Sequence, residues 1–424
     1  MAKPYVTLLG KAVRSIARLR GGGSALPGLF VEKIDPNFVK RSLEQLPYGV
    51  VVVSGTNGKT TTTKMIVELL EGQGMKVFTN RTGSNFTRGV AAALLEVVDR
   101  GGNLDADIAV LELDEGHAVH FVAAVQPHFS LLLNVMRDQL DRFGEIDTTA
   151  KLLAKIAQAT TNTVILNRED QRVSAIATTL HNQTVRYFGL DPSLTSAFPT
   201  DDELHGTVKK LAVKLPDADV VLTTFKKGEG SFSFDGQKPV TVALQLQGVY
   251  NVYNAAAATA VVRAIMGPKL DTAKLLESLA SVQPAFGRGE TVTVGGQPVD
   301  LVLVKNPSGF RLSLQSFPAA GHATMIAIND KYADGRDMSW LWDVPFDSLQ
   351  AGVQEVSGIR AYDMALRLQY DEIAVSHVEP DLGIALQHFL ESNPDTPKRI
   401  YCTYTAMLAL RHELSKITNV ERVL

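Results

Sequence analysis

Hydrophobic positions in the first half of the chain gather in short continuous runs. Val50–Val53, Ile108–Leu111, Phe129–Leu133 and Thr163–Asn167 read as strands covered on both faces, as in a parallel sheet. Lys76–Phe78 adds a shorter one, and helical spacing (Met65, Leu69, Leu70) fills the first interval. Residues 47–190 therefore predict alternating strands and helices in an α/β unit. Over 191–245 the pattern changes. Pro, Asp, Lys, Gly and Thr rise, and Val220–Thr224 and Ser231–Phe234 suggest hairpins of a β-rich insertion. A long Ala-rich helix follows Gly248. A second βα alternation starts near 298, with Leu301–Val304, Ala323–Asn329, Ile373–Val375 and Tyr401–Thr405 as strands. The pattern thus predicts an N-terminal helical segment (1–46), a central domain (47–296) and a smaller nucleotide-fold-like domain (297–424), divided between Glu290 and Pro298.

Residues 1–22 read as a basic amphipathic helix. Lys11, Arg14 and Arg18 share one face, and Leu9, Val13 and Ile16 lie opposite. Such a helix can rest on an anionic membrane surface. With no Trp or Phe anchor, packing of the apolar stripe on the domain behind it is favoured.

The chemistry concentrates after the first strand. Val50–Val53 runs into Ser54-Gly55-Thr56-Asn57-Gly58-Lys59-Thr60-Thr61 and then into a helix. The two glycines permit a tight turn whose N–H groups face an anion. Lys59 supplies a mobile positive charge and Thr60 a hydroxyl suited to Mg²⁺. The usual P-loop has four residues between its glycines, whereas here only Thr56 and Asn57 intervene. A buried strand before and a helix after are the context the motif requires, so nucleotide binding outweighs a chance Gly-Lys-Thr. Glu112 ends the Ile108 strand beside this loop and is placed to hold Mg²⁺ through oxygen. Asp114 and Glu115 suit helix capping better. The polar stretches Asn80–Asn85 and Arg137–Gly144 follow further strands, where open α/β sheets bind ligands. Asn251 and Asn254, three apart at a helix start, could read an adenine edge, or Asn251 could be an N-cap. Arg288, flanked by Gly287 and Gly289, suits a phosphate. Asp201, Asp202, Glu203 and His205 read as an exposed acidic turn.

Composition narrows the classes. Across 424 residues, 45% are hydrophobic and 21% charged, which describes a folded globular chain. A net charge of −3 gives no reason to expect nucleic acid. The single cysteine, Cys402, excludes a disulfide and any multi-cysteine zinc site, and fits a reducing cytoplasm. No apolar run is long enough to span a membrane, and no signal peptide is expected at the N-terminus.

Taken together, Ser54–Thr62, the Glu112 strand, Asn134–Gly144, Tyr250–Asn254 and Gly287-Arg288 resemble the Mur ligase superfamily of ATP-dependent amide-forming enzymes. Lys305–Gly309, Asn329–Trp342 and Ser357–Asp363 narrow the resemblance to the MurT family. These are the ligase subunits of lipid II isoglutaminyl synthases, which pair with a GatD-type glutaminase. The resemblance covers residues 5–420. It implies a P-loop Mur ligase central domain with the β-rich insertion and a Rossmann-like C-terminal domain. It also implies ATP and Mg²⁺ as cofactors, a cytoplasmic heterodimer, and a lipid-linked substrate at the inner membrane face. The implied reaction amidates the α-carboxyl of D-glutamate in the stem peptide of lipid II through an acyl phosphate attacked by ammonia. Gly55, Thr56, Asn57, Gly58, Lys59, Thr60, Thr61, Asn251, Asn254 and Arg288 would bind ATP, with Thr60 and Glu112 on the metal. Asp337 would face the partner and orient the glutaminase histidine, with Asp334 and Asp343 as fallbacks. Members of the family carry a four-cysteine zinc ribbon in the middle domain. Residues 191–245 contain no cysteine, so no zinc is expected here. Two other readings stay open: a folylpolyglutamate synthase-like ligase that adds an amino acid, and a P-loop nucleotide-dependent binding protein without ligase chemistry.

Overall fold

A computed structural model describes residues 4–19, 26–80, 86–137, 146–199, 215–226, 228–245, 249–282 and 288–420, without the side chains of 16–19, 249, 288 and 289. The first sheet contains β1 (Val50–Ser54), β2 (Val77–Thr79), β3 (Ile108–Glu112), β4 (Phe129–Leu132), β5 (Thr163–Asn167), β6 (Thr184–Leu190), β7 (Val220–Lys226), β8 (Glu229–Phe234) and β9 (Val240–Ala243). Their order is β2-β3-β1-β4-β5-β6-β7-β8-β9, parallel from β2 to β7 and antiparallel beyond. Successive valines of β1 point to opposite faces, and all four are buried. Val51 and Val53 pack with Met65 and Leu69 of helix Lys59–Gly72 and with the alanines of helix Val249–Met266. Val50 and Val52 pack with Leu94, Phe121 and Leu153, from three helices on the other side. The strands read as unbroken apolar runs because both faces are covered.

The β-rich stretch forms the expected hairpin and joins the first sheet. β7 pairs in parallel with β6, so β7, β8 and β9 extend the first sheet. Val220, Leu222 and Phe232 are fully buried in the same core as the Ala-rich helix, which draws them into the main layer. The acidic turn Asp201–His205 lies outside the described residues.

The second sheet contains β10 (Arg288–Val294), β11 (Gln297–Leu303), β12 (Ala323–Ala327), β13 (Val353–Ser357), β14 (Val375–Glu379) and β15 (Lys398–Cys402). Its order is β10-β11-β15-β12-β13-β14, parallel except for the β10–β11 hairpin. β10 is hydrogen-bonded into this sheet although it begins before the expected dividing segment and runs into it. Gly295-Gly296, both with positive φ, turn the chain between β10 and β11. β14 begins where the apolar signal of Ile373–Val375 stops, because a half-exposed edge strand tolerates Ser376 and His377.

The N-terminal helix Pro4–Leu19 packs through a face other than the one its apolar stripe indicates. Val6, Thr7 and Gly10 are buried, whereas Leu9 is 48% exposed. A Cβ at Gly10 would come within 2.7 Å of Leu95 and Val31, so glycine is what allows this close approach. Arg14 pairs with Glu96. Among the described residues no helix is long and apolar enough to cross a membrane.

Candidate active site

Parallel register sets the site. β1 lies between β3 and β4, with Val53 opposite Glu112 and Ser54 opposite Leu132, so three strand ends converge on the loop at 55–58. Gly55 (φ 128°) and Gly58 (φ 92°) occupy backbone conformations that disfavour a side chain. A Cβ at Gly58 would also lie 2.7 Å from Oδ1 of Asn254. The loop then opens onto helix Lys59–Gly72, whose first-turn N–H groups have no carbonyl four residues back within the helix.

The loop is clamped from below. The Asn134 carbonyl accepts from Thr56 N at 2.9 Å, and its side chain bridges Asn57 N (2.8 Å) and Asn57 O (2.9 Å). Thr56 Oγ1 exchanges hydrogen bonds with the Met136 backbone. Asn134 had stood only at the head of a motif; its work is to fix the P-loop backbone.

Thr60 and Glu112 come together as the sequence suggests. Thr60 Oγ1 donates to Glu112 Oε1 at 2.9 Å, and Thr60 is exposed while Glu112 is 9% exposed. Asn80 holds the Glu112 backbone from both sides, donating to its carbonyl (2.8 Å) and accepting from its N–H (3.0 Å). Two hard oxygen donors at the mouth of the loop fit Mg²⁺, which takes carboxylate and hydroxyl oxygens and keeps waters.

Lys59 is not the free, solvent-facing charge that the motif suggests. Its Nζ donates to Gly55 O (2.5 Å) and Thr56 O (3.3 Å), and lies 3.4 Å from Glu115 Oε2. The lysine side chain is 11% exposed and that of Glu115 5%. Asp114 caps the following helix as expected, accepting from Gly116 N. Glu115 does not: it is the buried counter-ion of the P-loop lysine.

Asn251 and Asn254 line a cleft with Gly58, Lys305 and Phe317, between the first sheet unit and the second. Asn251 is the third residue of its helix, so the N-cap role does not fall on it. The second unit reaches across this cleft. Lys305 Nζ donates to Thr56 O at 3.1 Å, and Asn57 bonds to both Asn306 (3.1 Å) and Ser308 (3.2 Å). Asn306 also caps helix Pro307–Ser316 through Gly309 N at 2.7 Å. Sequence reading gave these three residues no site role; their place at the end of a strand was the available signal.

Arg288 opens β10, and its side chain lies outside the described residues, as do 81–85 and 138–145. Asp337 is exposed on a separate loop. Hydrogen bonds from Ser339 hold its carboxyl below the usual carboxylate range. Asp334 is not an exposed fallback. It is 2% exposed and accepts from Thr405 N, Thr405 Oγ1 and Lys331 N, and burial pushes its carboxyl above the usual range. Asp343 is exposed. Beside it Trp342 (50% exposed) packs edge-on against Tyr370, ring centroids 5.0 Å apart.

A P-loop parallel sheet joined to a smaller, largely parallel sheet across a cleft is the architecture of the Mur ligases. MurF from Acinetobacter baumannii superposes with a TM-score of 0.69 at 18% identity, covering 92% of this chain and 80% of that one. The family model for the Mur ligase middle domain matches residues 53–262, and that for the MurT ligase C-terminal domain matches 303–407. The Streptococcus pneumoniae lipid II isoglutaminyl synthase (glutamine-hydrolyzing) subunit MurT is 31% identical over 96% of both chains. The Staphylococcus aureus (strain COL) subunit of the same name is 28% identical over 87% of both. The chain belongs to the MurT family of Mur ligases.

Proposed function

We propose that this chain is the ATP-dependent ligase subunit of a glutamine-dependent lipid II amidating enzyme. The observation that carries the reading is the cleft itself, with the P-loop and the Thr60–Glu112 pair on one wall and Lys305, Asn306 and Ser308 on the other. A carboxylate is a poor acyl donor. Transfer of the γ-phosphoryl group to the α-carboxylate of D-glutamate gives an acyl phosphate and ADP. Ammonia then attacks the acyl carbon, inorganic phosphate leaves, and loss of a proton gives the amide.

Each residue has a part in this sequence. Lys59 exchanges the Gly55 and Thr56 carbonyls for phosphate oxygens, while the first-turn amides stabilise charge on the transferring group. Thr60 and Glu112 would hold Mg²⁺, which supplies charge neutralisation between phosphates. Asn251 and Asn254 address the base, and Arg288 the phosphates. Lys305 and its neighbours draw the second unit over the P-loop and exclude the water that would hydrolyse an acyl phosphate.

Ammonia comes from a glutaminase subunit docked on the second unit. Tyr362, Leu366 and Tyr370, spaced by one helical turn on helix Ala361–Tyr370, are exposed beside Trp342. Asp337, exposed on the loop that leads to Trp342, would orient the partner's histidine. A domain division just before Arg288 fits the pairing of β10. Exposed Tyr5, Leu8, Leu9, Leu26 and Phe30 on the two N-terminal helices support peripheral contact with the membrane that carries the substrate. The test is amidation by the chain co-purified with its glutaminase. With glutamine as the nitrogen source, the stem peptide of lipid II should fall by one dalton only when ATP is also present. Incorporation of an amino acid in place of ammonia would favour the folylpolyglutamate synthase-like reading.

A further inference from the structure

On the second sheet, away from the nucleotide cleft, Glu355 of β13 and His377 of β14 are register partners and so project from the same face. His388 reaches that face from helix Leu382–Glu391, which packs across both strands. His377 Nδ1 lies 2.8 Å from Glu355 Oε1, and His388 Nδ1 lies 2.7 Å from Oε2. The two rings are 4.4 Å apart, and one donor atom from each of the three residues falls within 4.8 Å of the others.

The burial is unequal. Glu355 is fully buried, whereas the imidazoles are 43% and 52% exposed. No lysine or arginine pairs with Glu355 among the described residues; the two imidazoles are its partners. A carboxylate taken out of water requires a compensating charge. A divalent cation between the three donors supplies it.

We propose that Glu355, His377 and His388 form a site for a divalent transition ion of the Zn²⁺ class, with a fourth position open to solvent. Two imidazole nitrogens and a carboxylate oxygen are the donors this class selects. Tetrahedral coordination sets ligand atoms ~3.3 Å apart. The two imidazole–carboxylate separations, 2.8 and 2.7 Å, fall below that spacing while the whole set lies within 4.8 Å, so the exposed rings must adjust to take up an ion. The ion ties the edge strand β14 and helix Leu382–Glu391 to β13. It owes nothing to a cysteine ribbon, and it revises the expectation of no zinc, which rested on the absence of cysteines from residues 191–245.

The test uses the full chain, stripped with chelator and titrated with Co²⁺ and Zn²⁺ in excess Mg²⁺ so that the Thr60–Glu112 pair is occupied. Wild type should take up one ion per chain, show the visible absorption of four-coordinate Co²⁺, and gain thermal stability with Zn²⁺. His377→Gln and His388→Gln, which keep an N–H donor for the buried Glu355 carboxylate, should each weaken uptake by at least the ~10–100-fold that loss of a mere outer-shell partner brings. The double variant should lose the Co²⁺ spectrum. Glu355→Gln would add support only if it folds, so the histidines carry the test. Absence of uptake by wild type, or equal uptake by the double variant, overturns the site.

Discussion

Two strand-end regions of this molecule are built alike but present opposite kinds of surface. In the first sheet, β1, β3 and β4 end in a loop whose polar groups turn inward: Asn134 clamps it, Lys59 and Glu115 pair beneath it, and Asn80 fixes Glu112. In the second sheet, the chain after β12 turns outward and ends among exposed Trp342, Tyr362 and Tyr370. A small anionic ligand needs converging, preorganised donors, whereas a protein partner needs area. Parallel sheets offer either at their carboxyl ends, and the side chains decide which.

The largest effect should come from the first region. Lys59→Ala should lower turnover by about 10²-fold or more. It also leaves Glu115 buried without its partner, a loss of about 3–5 kcal/mol when such a pair is broken. Adding Glu115→Gln should restore thermal stability but not ADP release. If the double variant turns over normally, the P-loop assignment is wrong.

Asp337→Asn should separate the two regions. Glutamine-driven amidation should fall to background, while amidation with high ammonium continues. Equal loss with both nitrogen sources would move Asp337 into the ligase site or the fold.

Truncating the aromatic patch is expected to have a smaller, graded effect. Trp342→Ala or Tyr370→Ala should weaken binding of the glutaminase by roughly 1–2 kcal/mol, read by titration, with the ATP affinity of the isolated chain unchanged. Tight binding by the double variant would place the interface elsewhere.

Asn254→Ala should raise the Michaelis constant for ATP by about tenfold, the worth of one or two hydrogen bonds, and move thermal stability little. A drop in stability alone would make Asn254 a packing residue for Gly58. Least of all, Cys402 should resist thiol reagents until the chain unfolds. It is fully buried in β15, and burial pushes its thiol up.

What could be read from the sequence was local. Four valines, two glycines and Lys59-Thr60 specify strand, turn and helix within about a dozen residues, and Glu112 ends its own strand. The longer-range features were hidden. Asn134 reaches the P-loop from 77 positions away and Asn306 from 249. Glu115 looked like a cap because its lysine partner is brought near only by sheet order. That β7, β8 and β9 extend the first sheet was hidden because nothing in their alternation shows that the Ala-rich helix covers them. Glu355, His377 and His388 share no motif; parallel register and one helix face unite them.

If the P-loop cleft activates a carboxylate for attack by ammonia, the amide nitrogen must come from ammonium and its formation must consume ATP. The most direct measurement is mass spectrometry of lipid II stem peptides after incubation with the complete two-subunit enzyme, ATP, Mg²⁺ and ¹⁵N-labelled ammonium. The label should appear in the α-amide of D-glutamate, at one ADP per amide, and Lys59→Ala/Glu115→Gln should give neither product. ATP consumption with no labelled amide, or labelled amide formed without ATP, would contradict that mechanism.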